Sequence, residues 1–219
     1  MKTRRRFLHL TAALLPAGAL GSLSASVLAR GVDPQLQGMR KVTGEVRING
    51  QVAAVGTLVK PGDTVTTARG AEAIYVVGQD AYLQRESSSI ALAKSTLRVI
   101  SGKLLSVFGK GDKQIFVPTA TIGIRGTGCY IETEGEGAKA RSYFCLCYGT
   151  AEVTPTAAPE QKETLVTRHH DKPQWIHNDA AMPRSMVAAD VINHTDAELE
   201  MLEALVGRVP PFEQTGYKY

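Results

Sequence analysis

From Lys41 to Phe108 the apolar positions come in short runs that alternate with polar ones, and Gly, Asp, Ser and Lys punctuate the joins. Gly44-Glu45-Val46-Arg47-Ile48 alternates cleanly, and Asn49-Gly50 behind it is the strongest short hairpin signal. Val52 to Val59 is apolar and broken by Gly56; Pro61-Gly62-Asp63 reads as a turn, and Thr64 to Thr67 as a β-branched run. Ala71–Val77, Ala81–Gln84, Ile90–Leu92, Thr96–Ile100 and Lys103–Phe108 continue the rhythm. Many short strands at this spacing predict an all-β fold, an antiparallel-rich sandwich or short β-roll. Helical periodicity is confined to the end of the chain. Thr195-x-x-Glu198 has the form of a capping box. Leu199, Leu202, Leu205 and Val206 then make one apolar stripe, and Gly207 with Pro210-Pro211 ends it. The stripe predicts a short C-terminal helix docked on the domain, a partner or a second copy being the other places for it.

The first 29 residues follow different rules. Arg4, Arg5, Phe7 and Leu8 have the spacing of a twin-arginine export signal. An apolar run from Leu10 to Leu28, interrupted by Pro16, Gly18 and Gly21, precedes small residues at a cleavage position after Ala29. The expectation is a leader recognised by the twin-arginine translocase, removed by signal peptidase, and a periplasmic mature protein whose only membrane contact is through that leader. The interruptions argue against an uncleaved anchor. Twin-arginine export moves proteins already folded, in some cases with a cofactor loaded beforehand. A linker over 30–40, a β domain over 41–153 and a C-terminal portion over 154–219 would follow.

The leader also explains the charge. The chain has 25 basic and 21 acidic residues; Lys2, Arg4, Arg5 and Arg6 lie in the leader, so 21 of each remain beyond it. The mature chain is then formally neutral and has no basic cluster with interleaved aromatics, which excludes nucleic-acid binding as a reading.

An ordered series of short motifs resembles the FecR domain. Gly44-x-Val46-x-x-Asn49-Gly50 is followed by Ala53, Gly56 and Pro61-Gly62-Asp63-Thr64-Val65-x-Thr67. Ile90-x-Leu92, Ser95-x-Leu97 and Gly102-Lys103-Leu104 come next. Val117-Pro118-Thr119-Ala120-x-Ile122-Gly123-Ile124-Arg125-Gly126-Thr127 then resembles the family's closing motif, with Pro and Thr in exchanged order. The resemblance covers about residues 40–153. It implies a β domain with a binding or sensing role in the cell envelope. Family members known as regulators of iron uptake carry a cytoplasmic anti-sigma segment, for which the leader expected here leaves no room. The resemblance therefore implies the fold and a sensing role, not sigma-factor control. Within the closing motif, Arg125, Gly126 and Thr127 are read as structural, the glycines providing unusual backbone angles and Arg125 bonding carbonyls across a strand turn. A phosphate cradle is the weaker reading, because no P-loop Lys-Ser/Thr pair or helix follows.

Three cysteines supply the candidate chemistry. Cys129–Thr133 and Arg141–Tyr148 read as two strands of a hairpin closed by Glu134–Ala140. Cys145 and Cys147 are two apart and share a face, with Phe144, Leu146 and Tyr148 on the other. A loop centred near Gly137–Ala138 puts Cys129 opposite Cys145 or Cys147 and gathers three thiols in one patch; a one-residue slip sends Cys129 to the other face. Three readings stay open: buried thiols acting as small hydrophobes, a disulfide from Cys129 to Cys145 or Cys147, and a transition-metal site for Zn, Cu or Fe. The candidate metal ligands are Cys129, Cys145 and Cys147 with His169 or His170, taken ahead of His177 and His194. Trp175 is read as an anchor on the sheet. No catalytic template occurs: there is no G-x-S-x-G, H-E-x-x-H, P-loop or dinucleotide fingerprint. A binding or sensing protein is the leading expectation. A structural module docking an envelope protein or a second copy of itself is the alternative, and a thiol-redox enzyme is a more distant one.

Overall fold

The structure, a computed structural model, describes residues 36–212. The leader motif, the Ala29 junction and most of the linker expected over 30–40 lie outside the described residues. Fourteen strands occur in chain order. They are β1 (Gly38–Thr43), β2 (Val46–Ile48), β3 (Gln51–Val52), β4 (Thr64–Thr67), β5 (Glu72–Val77), β6 (Asp80–Gln84) and β7 (Ser88–Leu92). The series continues with β8 (Thr96–Val107), β9 (Asp112–Val117), β10 (Ala120–Glu134), β11 (Arg141–Pro155), β12 (Glu163–Thr167), β13 (Gln174–His177) and β14 (Met186–Ala188). One helix, α1 (Asp196–Leu205), closes the described chain. The fold is thus all-β with a short C-terminal helix, as the periodicity predicts. Every strand joins one large mixed sheet, antiparallel except where β8 runs parallel to β9.

Three long strands shape the sheet. The first part of β8 pairs with β7 and β9 and its last part with β6 and β10. β10 likewise changes partner from β9 to β8 along its length, while β11 lines it throughout. The inward faces close over one core containing Val46, Val65, Tyr75, Ile90, Leu104, Ile122, Ile131, Phe144 and Val153. The outward face of β5, β6, β8, β10 and β11 is apolar too, with Val76, Leu83, Leu105, Tyr130 and Tyr143. It is covered by Leu199, Leu202 and Val206 of the helix region and by Phe212. Burying each such leucine contributes roughly 1.5–3 kcal/mol, and this outer cluster is what docks the helix.

Local chemistry explains the joins. Asn49 and Gly50 both have positive φ (51° and 79°), as a two-residue turn with the twist of a hairpin requires, and Ile48 faces Gln51 across it. The apolar run Val52 to Val59 leaves the sheet after Val52, and Val52, Val55 and Leu58 are exposed. The capping box forms as read: Thr195 Oγ1 accepts from the Glu198 amide and Glu198 Oε2 from the Thr195 amide. The C-terminal portion is no appendage. β11 runs through Pro155, β12 and β13 both pair with β11, and α1 roofs the outer cluster.

Candidate metal centre

The hairpin of β10 and β11 carries the thiols; its register is regular from the loop to Cys129 and is shifted beyond it by two bulges. Arg125 faces Thr150 but Gly128 faces Tyr148, so β10 has an extra residue there. Cys129 then faces Leu146, which leaves Cys147 as an extra residue on β11. The glycines make this possible. Gly126 has φ 57°, and a Cβ on Gly128 would lie 2.4 Å from the Tyr148 ring. The closing motif thus lies inside a continuous strand. Arg125 bonds Asp112 on β9 at 2.7 Å, both side chains exposed, and not carbonyls across a turn.

This register corrects the expected thiol patch. Cys129 points into the inner core with Leu146, and its sulfur sits 3.5 Å from Ser106 Oγ. Burial pushes its thiol up to about 12. Cys145 and Cys147 lie on the outer face, and the bulge turns Tyr148 to that face with them. All three cysteines are free and fully buried, so the structure holds no disulfide among them.

Two histidines meet the outer thiols. His170 follows β12 with φ 51°, and its amide donates to the Cys147 carbonyl at 2.9 Å. This unusual backbone angle turns the ring inward, where Nδ1 lies 3.3 Å from the Cys145 sulfur. His194, just before the helix, places Nε2 3.0 Å from that same Nδ1. Its ring stacks on Tyr130 with centroids 4.6 Å apart. One donor atom from each of Cys145, Cys147, His170 and His194 lies within 4.8 Å of the others, and all four residues are buried. This Cys/His cluster could hold a metal ion.

The outer partners of both rings fix their tautomers. His194 Nδ1 sits 2.6 Å from the Ile192 carbonyl, which only accepts, so Nδ1 carries the proton and Nε2 the lone pair. His170 Nε2 sits 3.1 Å from Asp196 Oδ1, which favours a proton there. The His194 lone pair, His170 Nδ1 and the Cys145 sulfur then converge on one point that a proton or a metal ion can occupy. The electrostatics favour charge at this point. The Cys147 thiol's hydrogen bond lowers the Cys145 thiol against the cost of burial, with His170 and His194 assisting. Burial, and then the Cys145 charge, raise Cys147. Burial opposes charge on His170, but Cys145 and Asp196 raise it overall.

The remaining candidates fall nearby or elsewhere. His169 does not face the thiols; its Nε2 meets the other oxygen of Asp196 at 2.9 Å, and its ring packs on Phe212. His177 pairs with Arg141 at the far end of β11. Trp175 makes an edge contact with Tyr143 beneath the Arg141 guanidinium. Sequence reasoning ranked His194 below the His169-His170 pair and did not name Asp196. Their one signal was their position at the capping box, which marks a helix start but not where it docks.

No family model matches this chain, and no curated protein is similar to it. Among solved structures it is similar to two crystal structures, at 1.65 and 2.50 Å resolution, of a "putative anti-sigma factor" from Parabacteroides distasonis ATCC 8503. The TM-scores are 0.47 and 0.45 at 9% and 10% identity, and each match covers 58% of this chain and 59% of the other. This chain thus spans less than two thirds of those relatives' length.

Proposed function

We propose that this protein is a FecR-like binding or sensing protein of the periplasm that holds one soft transition-metal ion between Cys145, Cys147, His170 and His194. The observation that carries the reading is the convergence of two imidazoles and two thiols, all buried, with one donor atom of each within 4.8 Å of the others. Two thiolates and two imidazoles are a common tetrahedral zinc set, and Cu(I) and iron also accept such donors. Donor atoms within 4.8 Å of one another suit a single ion with bonds of about 2.0–2.3 Å. Four buried protein ligands leave no open coordination position, which fits a structural or sensing centre better than a catalytic one.

The leader gives the site its context. Neighbouring free thiols tend to oxidise outside the cytoplasm, and a metal acquired before folded export would protect Cys145 and Cys147. Thiol-redox catalysis fits less well, because both thiols are fully buried and neither lines the large cavity next to them.

The test is elemental analysis of protein exported through its own leader and purified without chelator or affinity metal. One zinc, copper or iron per chain is expected, lost in Cys145→Ser and in His194→Gln and retained in Cys129→Ala. Metal-free protein from such a preparation overturns the reading and leaves a structural envelope module.

A further inference from the structure

A cavity of about 880 Å³ opens beside the Cys/His cluster, in the size range of pockets for small molecules. Its walls are aromatic: Phe108, Tyr148 and Phe212 line it, the last two with ring centroids 5.9 Å apart. These walls are held from behind. The Tyr148 hydroxyl donates to the buried Glu203, and the His169 ring packs against Phe212 at 4.5 Å. Gly126 and Gly149, the glycines of the double bulge, also line the cavity and leave that side without side chains. At Gly149 the substitution is sterically closed, since φ is 103° and a Cβ would lie 2.6 Å from Thr127 Cγ2.

The charges around the cavity do not cancel. Glu203 accepts from Arg208 Nε at 2.5 Å, so that pair neutralises itself. Asp171, also at the rim, accepts through Oδ2 from the amides of Arg168 at 2.7 Å and His169 at 3.4 Å and keeps its negative charge, so Lys110, Arg168 and Arg208 against Asp171 and Glu203 leave the lining with one net positive charge. Lys110 and Arg168 are exposed at the rim and form no ion pair among the described residues. Flat apolar walls beneath a rim of net positive charge select a ligand that is apolar and anionic.

We propose that this cavity binds a small organic anion with a flat apolar body, of the aromatic carboxylate or sulfonate class. The rings take the body, and Lys110 and Arg168 take the anionic group. The site is separate from the Cys/His cluster and does not require a metal there.

The test is titration of the full chain with 8-anilino-1-naphthalenesulfonate, an aromatic sulfonate whose fluorescence reports an apolar site, with benzoate as competitor. Saturable one-to-one binding is expected, weakened by salt and displaced by benzoate. The Lys110→Glu/Arg168→Glu double variant should lose at least about tenfold in affinity, since each charge reversal removes an attraction and adds a repulsion. Both side chains are exposed, so that variant should unfold at the wild-type temperature. Phe212→Ala should weaken binding independently. Absence of saturable binding, or unchanged affinity in both variants, overturns the proposal. So does binding that is seen only after residues 213–219 are deleted, which would make the chain's own tail the occupant.

Discussion

His170 Nδ1 and His194 Nε2 face one another at 3.0 Å, although they belong to segments 24 residues apart. The contact is made by two unrelated devices. A positive φ at His170 turns one ring inward from the end of β12, and stacking on Tyr130 holds the other at the start of α1. The four donor groups come together only in the native fold, so a metal bound between them should stabilise this part of it.

In the proposed centre Asp196 would act through His170, whose Nε2 it meets at 3.1 Å. Asp196→Asn should leave the four donors in place but weaken metal binding by about 10–100-fold, the usual cost of losing an outer partner of a ligating histidine. Competition against a chromophoric chelator measures it. An unchanged affinity would remove Asp196 from the centre.

Metal removal should loosen the helix before it loosens the sheet. Two candidate ligands lie on β11, one follows β12 and one precedes α1, so an ion held by all four would tie the helix start to the sheet. Amide exchange after chelation should accelerate over Thr195–Leu205 while the β10–β11 ladder stays protected. If the helix stays equally protected without metal, Leu199, Leu202 and Val206 alone suffice to dock it, and the tie is unnecessary.

Cys129 should behave as an inert core residue. Its folded value of about 12 lies above the ordinary 9, so the folded state holds this proton more tightly than the unfolded one. Its contribution to stability is full below about pH 9 and is lost as pH rises toward 12. The difference in unfolding free energy between wild type and Cys129→Ala should be flat below pH 9 and shrink above it. Iodoacetamide at pH 8 should label Cys129 only on unfolding; rapid labelling of the native chain would contradict its placement.

The double bulge should be sensitive to a single methyl group. Gly128→Ala puts a Cβ about 2.4 Å from the Tyr148 ring, which is pinned through its hydroxyl to Glu203 and cannot swing away freely. A loss of about 1–3 kcal/mol is expected in urea denaturation. Gly111, where nothing lies within 4 Å of the added Cβ, offers a contrast in which only backbone strain at φ 132° acts.

Period-two alternation determined the strand-rich fold, because a half-buried strand must place every second residue in the core. The Asn49-Gly50 turn and the Thr195–Glu198 cap were equally legible, since each depends on residues within a few positions of one another. Local pattern also placed Cys145 and Cys147 on one face. What it could not supply was register. The hairpin loop pairs Cys129 with Leu146 rather than with either thiol, which sends it to the inner core, and two compensating bulges beyond that pair, one in each strand, turn Tyr148 to the outer face. A bulge is a balance between ladder pairing and packing across the sheet, and alternation does not record that balance. Nor could the sequence rank His194 and Asp196 above His169, because that depends on where the helix lands. Burial of Leu199, Leu202 and Val206 against the outer face of the sheet decided it, bringing residues near 194 onto a strand near 145. The donor types were written in the chain; tertiary packing chose which of them meet.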